Sequence, residues 1–151
     1  VPHHNSSIHV YPEVLRAIRE ADLIVLGPGD VYTSIVPNLL IKEVPEEIGK
    51  SSAQLVYVGN IMTKFGETEN FRAQDFVETV ESYLPRPFDV VVFNSQSPPS
   101  SILSNYEEQK ASFVSPPEKE PRLVTKDLLN ISGEVVRHDS NKLASAIRGL
   151  L

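Results

Sequence analysis

The sequence predicts an α/β domain in three layers, a mainly parallel sheet with helices on both faces. Three observations carry that expectation. Short apolar runs recur from Asp22 to Leu26, from Gln54 to Val58 and from Phe88 to Phe93, the pattern of strands buried on both faces. Amphipathic helical stretches alternate with them, as crossovers between parallel strands require. A polar loop of Gly, Asn and hydroxyl-bearing residues ends each run.

Taken in order, Pro12 to Glu20 carries Val14, Leu15 and Ile18 with charges between them, which predicts one short amphipathic helix. The first strand follows and stops at Gly27-Pro28-Gly29. The stretch from Pro37 to Gly49 is interrupted by Pro45 and predicts two short helical pieces. After the second strand, Ala73 to Leu84 places Phe76, Val77, Val80 and Leu84 on one helical face. The third strand ends at Asn94, and Ser95 to Ser101 reads as loop. Ile102 to Lys110 predicts a helix, and a proline-spaced stretch follows from Ser115 to Pro121. Arg122 to Thr125 and Glu134 to Arg137 predict short strands. Asp139 is a good N-cap for a last helix carrying Leu143, Ala144, Ile147 and Leu150.

The 151 residues fit a single domain and bury a sizeable core without staples. With 20 acidic against 14 basic residues the formal charge is −6, which disfavours nucleic acid as the main partner. Cysteine is absent, which excludes disulfides, thiolate metal sites and a Cys nucleophile. No apolar run approaches the roughly 20 residues of a membrane-spanning helix. The chain begins at Val1 and its one methionine is Met62, so a preceding N-terminal portion is expected.

In an open parallel sheet, ligands bind beyond the carboxyl ends of the strands. Three predicted strands leave there through Gly27-Pro28-Gly29-Asp30-Val31-Tyr32-Thr33-Ser34, through the loop from Gly59 to Thr68, and through Asn94-Ser95-Gln96-Ser97. Glycines admit a ligand to the backbone, while Ser, Thr and helix-start amides donate to anionic oxygens. Together they predict a crevice for a phosphorylated or diphosphate ligand. The first loop is neither a GxGxxG fingerprint nor a Walker A motif, and taken alone it is equally a tight turn with Ser34 capping a helix. Asp30 can position a metal or a ribose hydroxyl, or simply cap the next helix; Lys64 can meet phosphate or water. Glu67-Thr68 reads as a helix start. Tyr106 and Arg137 are candidates for stacking on a base and pairing with phosphate. The histidines, His3, His4, His9 and His138, form no zinc signature, and His138 between Arg137 and Asp139 reads as an ion-pair residue.

Ala21-Asp22-Leu23-Ile24-Val25-Leu26-Gly27-Pro28-Gly29, continued by Tyr32-Thr33-Ser34-Ile35-Val36-Pro37-Asn38-Leu39-Leu40, resembles the gluconeogenesis-factor (YvcK-like) family. Asn60-Ile61-Met62-Thr63, Gly66-Glu67-Thr68 and Val136-Arg137-His138-Asp139 are similar to its other signatures. The superfamily includes 2-phospho-L-lactate transferase (CofD-like), which joins a phospholactyl group to a deazaflavin in coenzyme F420 synthesis. The resemblance implies a Rossmann-like fold and places this chain as the C-terminal half of a longer protein. It implies a cytoplasmic regulator of carbon metabolism, cell shape and envelope synthesis that binds nucleotide sugars such as UDP-N-acetylglucosamine. The alternative it carries is a transferase with magnesium as a possible cofactor. Matched by motif, Gly27, Gly29, Thr33, Ser34, Asn38, Asn60 and Thr63 would line the crevice, with Tyr106 and Arg137 from the C-terminal region. Asp30 stands where the family usually has Ser, adding a negative charge at a presumed phosphate loop. Homo-oligomer formation is a further expectation.

Overall fold

The computed structural model describes residues 9–151, so His3 and His4 lie outside the described residues. Helix α1 (Pro12–Glu20) opens with proline at its first turn, where the missing N–H costs nothing. Strand β1 (Leu23–Leu26) runs to the glycine loop, a π-helical turn (Val31–Ile35) continues into α2 (Val36–Leu39), and α3 (Glu43–Lys50) returns to β2 (Gln54–Val58). Next come α4 (Ala73–Glu81), β3 (Val90–Asn94), α5 (Ser100–Glu108) and β4 (Leu123–Lys126). A hairpin, β5 (Leu129–Ser132) and β6 (Val135–His138), precedes α6 (Ser140–Arg148).

The main sheet has the order β1-β2-β3-β4 with every pair parallel, in registers such as Val25 with Val56, Val58 with Val92 and Phe93 with Thr125. Alternation along the strands sends side chains to two cores. Leu26, Leu55, Tyr57, Val91 and Phe93 meet Phe76, Val77 and Val80 of α4 on one face. Val56, Val58, Val92 and Leu128 meet Leu143 and Ile147 of α6, and Leu150 just beyond it, on the other. Each fully buried apolar side chain contributes about 1.5–3 kcal/mol relative to exposure, which fixes the register of strands apolar on both sides. The three-layer α/β architecture predicted from the sequence is therefore observed. Among the described residues, no helix is long and apolar enough to cross a membrane.

Four local expectations are corrected. The break after Pro37 falls at residues 40–42, and Pro45 lies inside the first turn of α3, where its absent N–H would have had no helical partner. Glu67-Thr68 lie in a run of turns and start no helix; the Thr68 hydroxyl accepts from Lys64 N at 3.0 Å and closes the loop on itself. Helix α4 stops at Glu81, short of Leu84, because Tyr83 and Leu84 donate three residues back and Pro85 and Pro87 follow. Helix α5 starts at Ser100, within the stretch read as loop.

Candidate functional site

Because β1, β2 and β3 are parallel neighbours, their exits gather at one sheet edge. At the first exit Gly27 has φ +91, and a Cβ there would sit 2.6 Å from Val58 O, so the loop lies directly on β2. The Asp30 carbonyl then accepts from Ser34 N at 2.9 Å and Ile35 N at 3.1 Å. This wide turn buries Val31 and Ile35 while leaving Tyr32, Thr33 and Ser34 exposed. Ser34 supplies no side-chain cap; its carbonyl instead accepts from Asn38 Nδ2 at 2.7 Å.

At the second exit Asn60 Nδ2 donates to Gly29 O at 3.1 Å, joining the first two loops, while Asn60 Oδ1 is buried without a partner. Thr63 is buried, and its hydroxyl accepts from Ser112 N at 2.8 Å, fastening this loop to the segment after α5. Lys64 Nζ holds Asp30 at 2.6 Å and Glu67 at 2.7 Å, and these two carboxylates raise its pKa. The Asp30 charge is thus met within the loop cluster itself. At the third exit Asn94, 2% exposed, accepts from Leu128 N at 3.0 Å and donates to Gln96 O at 2.6 Å.

The opposite wall comes from the C-terminal elements. Tyr106 of α5 accepts from Val136 N at 2.9 Å through its hydroxyl. Arg137 and His138 stand on β6, and Asp139 caps α6 by accepting from Asn141 N and Lys142 N. Between the walls is a crevice with a cavity volume of about 590 Å³, within the range of small-molecule sites. Gly29, Asp30, Asn60, Tyr106 and Arg137 line it together with Met62, His138 and Ser140.

Five of the ten residues singled out from sequence therefore share one crevice. Gly27, Ser34 and Asn38, with Gly29 again, line a second groove of about 340 Å³ beside β1. Thr33 faces solvent outside both, and Thr63 is turned inward to Ser112. Among the described residues Arg137 has no acidic partner within salt-bridge distance and is exposed, so its guanidinium is available to an anion. Among the described residues His138, expected to be ion-paired, makes no salt bridge: its Nε2 is buried and partnerless, and burial lowers its pKa. Its position beside Arg137 was the one signal that pointed to it. Among the described residues no group of three or more potential metal ligands is gathered. What the crevice offers is a cation on one wall, glycine backbone on the other, and an unsatisfied amide oxygen between.

The family described as 2-phospho-L-lactate transferase CofD matches residues 1–132 of the chain. A gluconeogenesis factor of Bacillus subtilis is 38% identical over 146 residues, covering 93% of this chain and 46% of that protein. One from Listeria innocua is 37% identical over 150 residues, covering 96% and 46%. A crystal structure of a UPF0052 family member from Bacillus halodurans superposes with a TM-score of 0.89 at 30% identity, covering 94% of this chain and 48% of that one. The chain thus spans about half the length of the relatives it matches.

Proposed function

The chain belongs to the 2-phospho-L-lactate transferase CofD family, and from that premise we propose that its crevice binds a nucleotide sugar of the UDP-N-acetylglucosamine kind. The observation that carries this reading is the Arg137 guanidinium, without an acidic partner among the described residues, in one crevice with the Gly29 backbone and the Asn60 side-chain amide. A planar guanidinium suits the paired oxygens of a diphosphate, and close glycine backbone suits the same group from the other side. In this reading the protein is a regulatory binder in the cytoplasm, acting on carbon metabolism and cell-envelope growth, and ligand binding is its output. The relatives named gluconeogenesis factor support the regulatory half of it. Calorimetric titration of UDP-N-acetylglucosamine into the intact protein and its Arg137→Ala variant tests it. A loss of about tenfold or more is expected, since a charge-assisted bidentate contact is worth about 1.5–3 kcal/mol. Equal affinity of both proteins sinks it.

The description of the matched family favours a second reading, a phospholactyl transferase. There an acceptor hydroxyl attacks phosphorus, the nucleoside monophosphate leaves, and the protein positions the groups and stabilises charge. A magnesium ion would find Asp30 as its nearest carboxylate, but Lys64 already holds that group at 2.6 Å and no cluster of three potential ligands surrounds it among the described residues. The residues present do not fit a metal. Product formation from a nucleotide diphospho-lactate and a deazaflavin decides for this reading; absence of product with tight UDP-sugar binding decides against it.

A further inference from the structure

Asp30 and Arg137 bring opposite charges to the crevice lining, while burial lowers the His138 pKa and leaves that ring uncharged at pH 7. The two stand on different walls, Asp30 on the first exit loop and Arg137 on β6, and Asp30 pairs with Lys64 rather than with Arg137. The diphosphate reading uses the cation and gives the carboxylate no task. A carboxylate in a site for phosphoryl oxygens opposes them, so its presence there calls for a different partner.

The local geometry leaves that carboxylate available. Position 30 is the N-cap of the π-helical turn, where an aspartate ordinarily accepts from the first amides of the turn. The Asp30 side chain makes no such bond. Lys64 Nζ holds Oδ2 at 2.6 Å instead, and Glu67 fixes Lys64 in turn at 2.7 Å. Among the described residues Oδ1 has no hydrogen-bond partner, and the side chain is 40% exposed. Asp30 is thus pinned through one oxygen and uncommitted at the other.

An ionised carboxylate accepts hydrogen bonds and donates none. A ligand that satisfies both walls therefore carries an anion for Arg137 and a donor for Asp30. In a nucleotide sugar the diphosphate has a hydroxyl-bearing ring on each side, the ribose on one and the hexose on the other. Either orientation brings hydroxyls next to the anion, and a cavity of about 590 Å³ has room for both parts. We propose that Asp30 is a specificity-determining residue, whose Oδ1 accepts from a sugar hydroxyl and selects sugar-bearing diphosphates over bare polyphosphate anions. The inference rests on the diphosphate reading of the crevice.

The test titrates UDP-N-acetylglucosamine, UDP and inorganic pyrophosphate into the intact protein and its Asp30→Ala and Asp30→Asn variants. Asp30→Ala weakens UDP-N-acetylglucosamine on the order of tenfold or more, the worth of a hydrogen bond to a charged group. Pyrophosphate, which brings the anion without a sugar, binds that variant as well as before or more tightly. Asp30→Asn keeps the shape and one acceptor oxygen, so it loses only part of the affinity for the nucleotide sugar. UDP locates the hydroxyl: a matching loss assigns it to the ribose, and no loss assigns it to the hexose. Equal losses for all three probes in Asp30→Ala mean that the residue merely holds the loop through Lys64, which overturns the assignment. Unchanged or tighter binding of the nucleotide sugar overturns it as well, and both outcomes leave the diphosphate reading standing. If the unaltered protein binds none of the probes, or Arg137→Ala binds them unchanged, the diphosphate reading fails and this inference with it.

Discussion

At Gly59 one absent methyl group decides how closely the β2 exit approaches β3. The Phe93 ring fills the place a Cβ would take, 2.1 Å away, whereas Gly66 has open space around it and is held to glycine by its φ of +77 alone. Gly59→Ala should therefore cost about 3 kcal/mol as a case of overpacking and Gly66→Ala about 1 kcal/mol as backbone strain. Urea unfolding of the two variants checks the order, and equal costs would mean that the Phe93 contact relaxes freely. Lys64 presents a different single-residue effect. It joins Asp30 to Glu67, so Lys64→Ala leaves two carboxylates at the crevice mouth with no cation between them. Affinity for pyrophosphate should fall, and the loss should shrink as salt is raised. An affinity that does not change with the substitution at low salt contradicts that account. The glycine loops were legible in sequence because turn chemistry is local. Thr63 was not, because the partner that turns it inward, Ser112, is 49 residues away.

Among the elements, those with a strong period were legible and those set by tertiary partners were not. Helix α1 was predicted with the bounds it has, β1 to β3 fall on the three apolar runs, and β4 lies one residue on from the weaker stretch of Arg122 to Thr125. Strand β5 was missed although Leu129-Asn130-Ile131-Ser132 alternates, because its short run and exposed partner carry little pattern; Gly133 at φ +63 forms its turn. Helix α4 was drawn too long for a related reason. Its Glu81 accepts from Phe88 N and from Arg122 Nη1, contacts that anchor the helix end to the start of β3 and β4. Arg122 also holds Glu120, which is almost wholly buried, and these carboxylates raise the Arg122 pKa. Arg122→Ala should destabilise the fold by about 2–3 kcal/mol, because it strands Glu120 in a half-dry site. Arg122→Lys should recover only part of that, since an ammonium cannot span both carboxylates as a fork does. A denaturation midpoint unchanged by Arg122→Ala would show that the network carries no net weight.

Over the whole molecule, the two sheet edges are built for different tasks. The amino edge is tied by Arg86 with Asp89 and by Arg122 with Glu81 and Glu120, although Arg86 Nε is itself unpaired, while the carboxyl edge holds the crevice with Asn60 Oδ1 and His138 Nε2 unpaired. Acid should act on the two edges in sequence. His138 is held below its ordinary value of 6.5, mainly by burial, with Arg137 and Asp139 beside it in the chain and Tyr106 and Asp30 on the other crevice walls. The unfolded chain therefore takes up this proton first as pH falls, so stability is full above about 6.5 and declines through the window below it. On the amino edge Glu120 is held below its ordinary 4.5 by bonds from Arg122, and Asp75, at the start of α4 on the carboxyl side, is held below its ordinary 3.8 by Arg72. Asp89 is also held low: burial works against that, but the Leu55 N–H and Arg86 outweigh it. Their contribution is complete above those values and is lost only at lower pH. Unfolding by urea at pH 7.5, 6.5 and 5.5 should show a falling midpoint in the unaltered protein. His138→Asn, which cannot titrate, should flatten the profile in that range and leave the later carboxylate loss in place. If the variant falls as steeply as the unaltered protein between pH 6.5 and 5.5, the buried imidazole is not the group that acid reaches first.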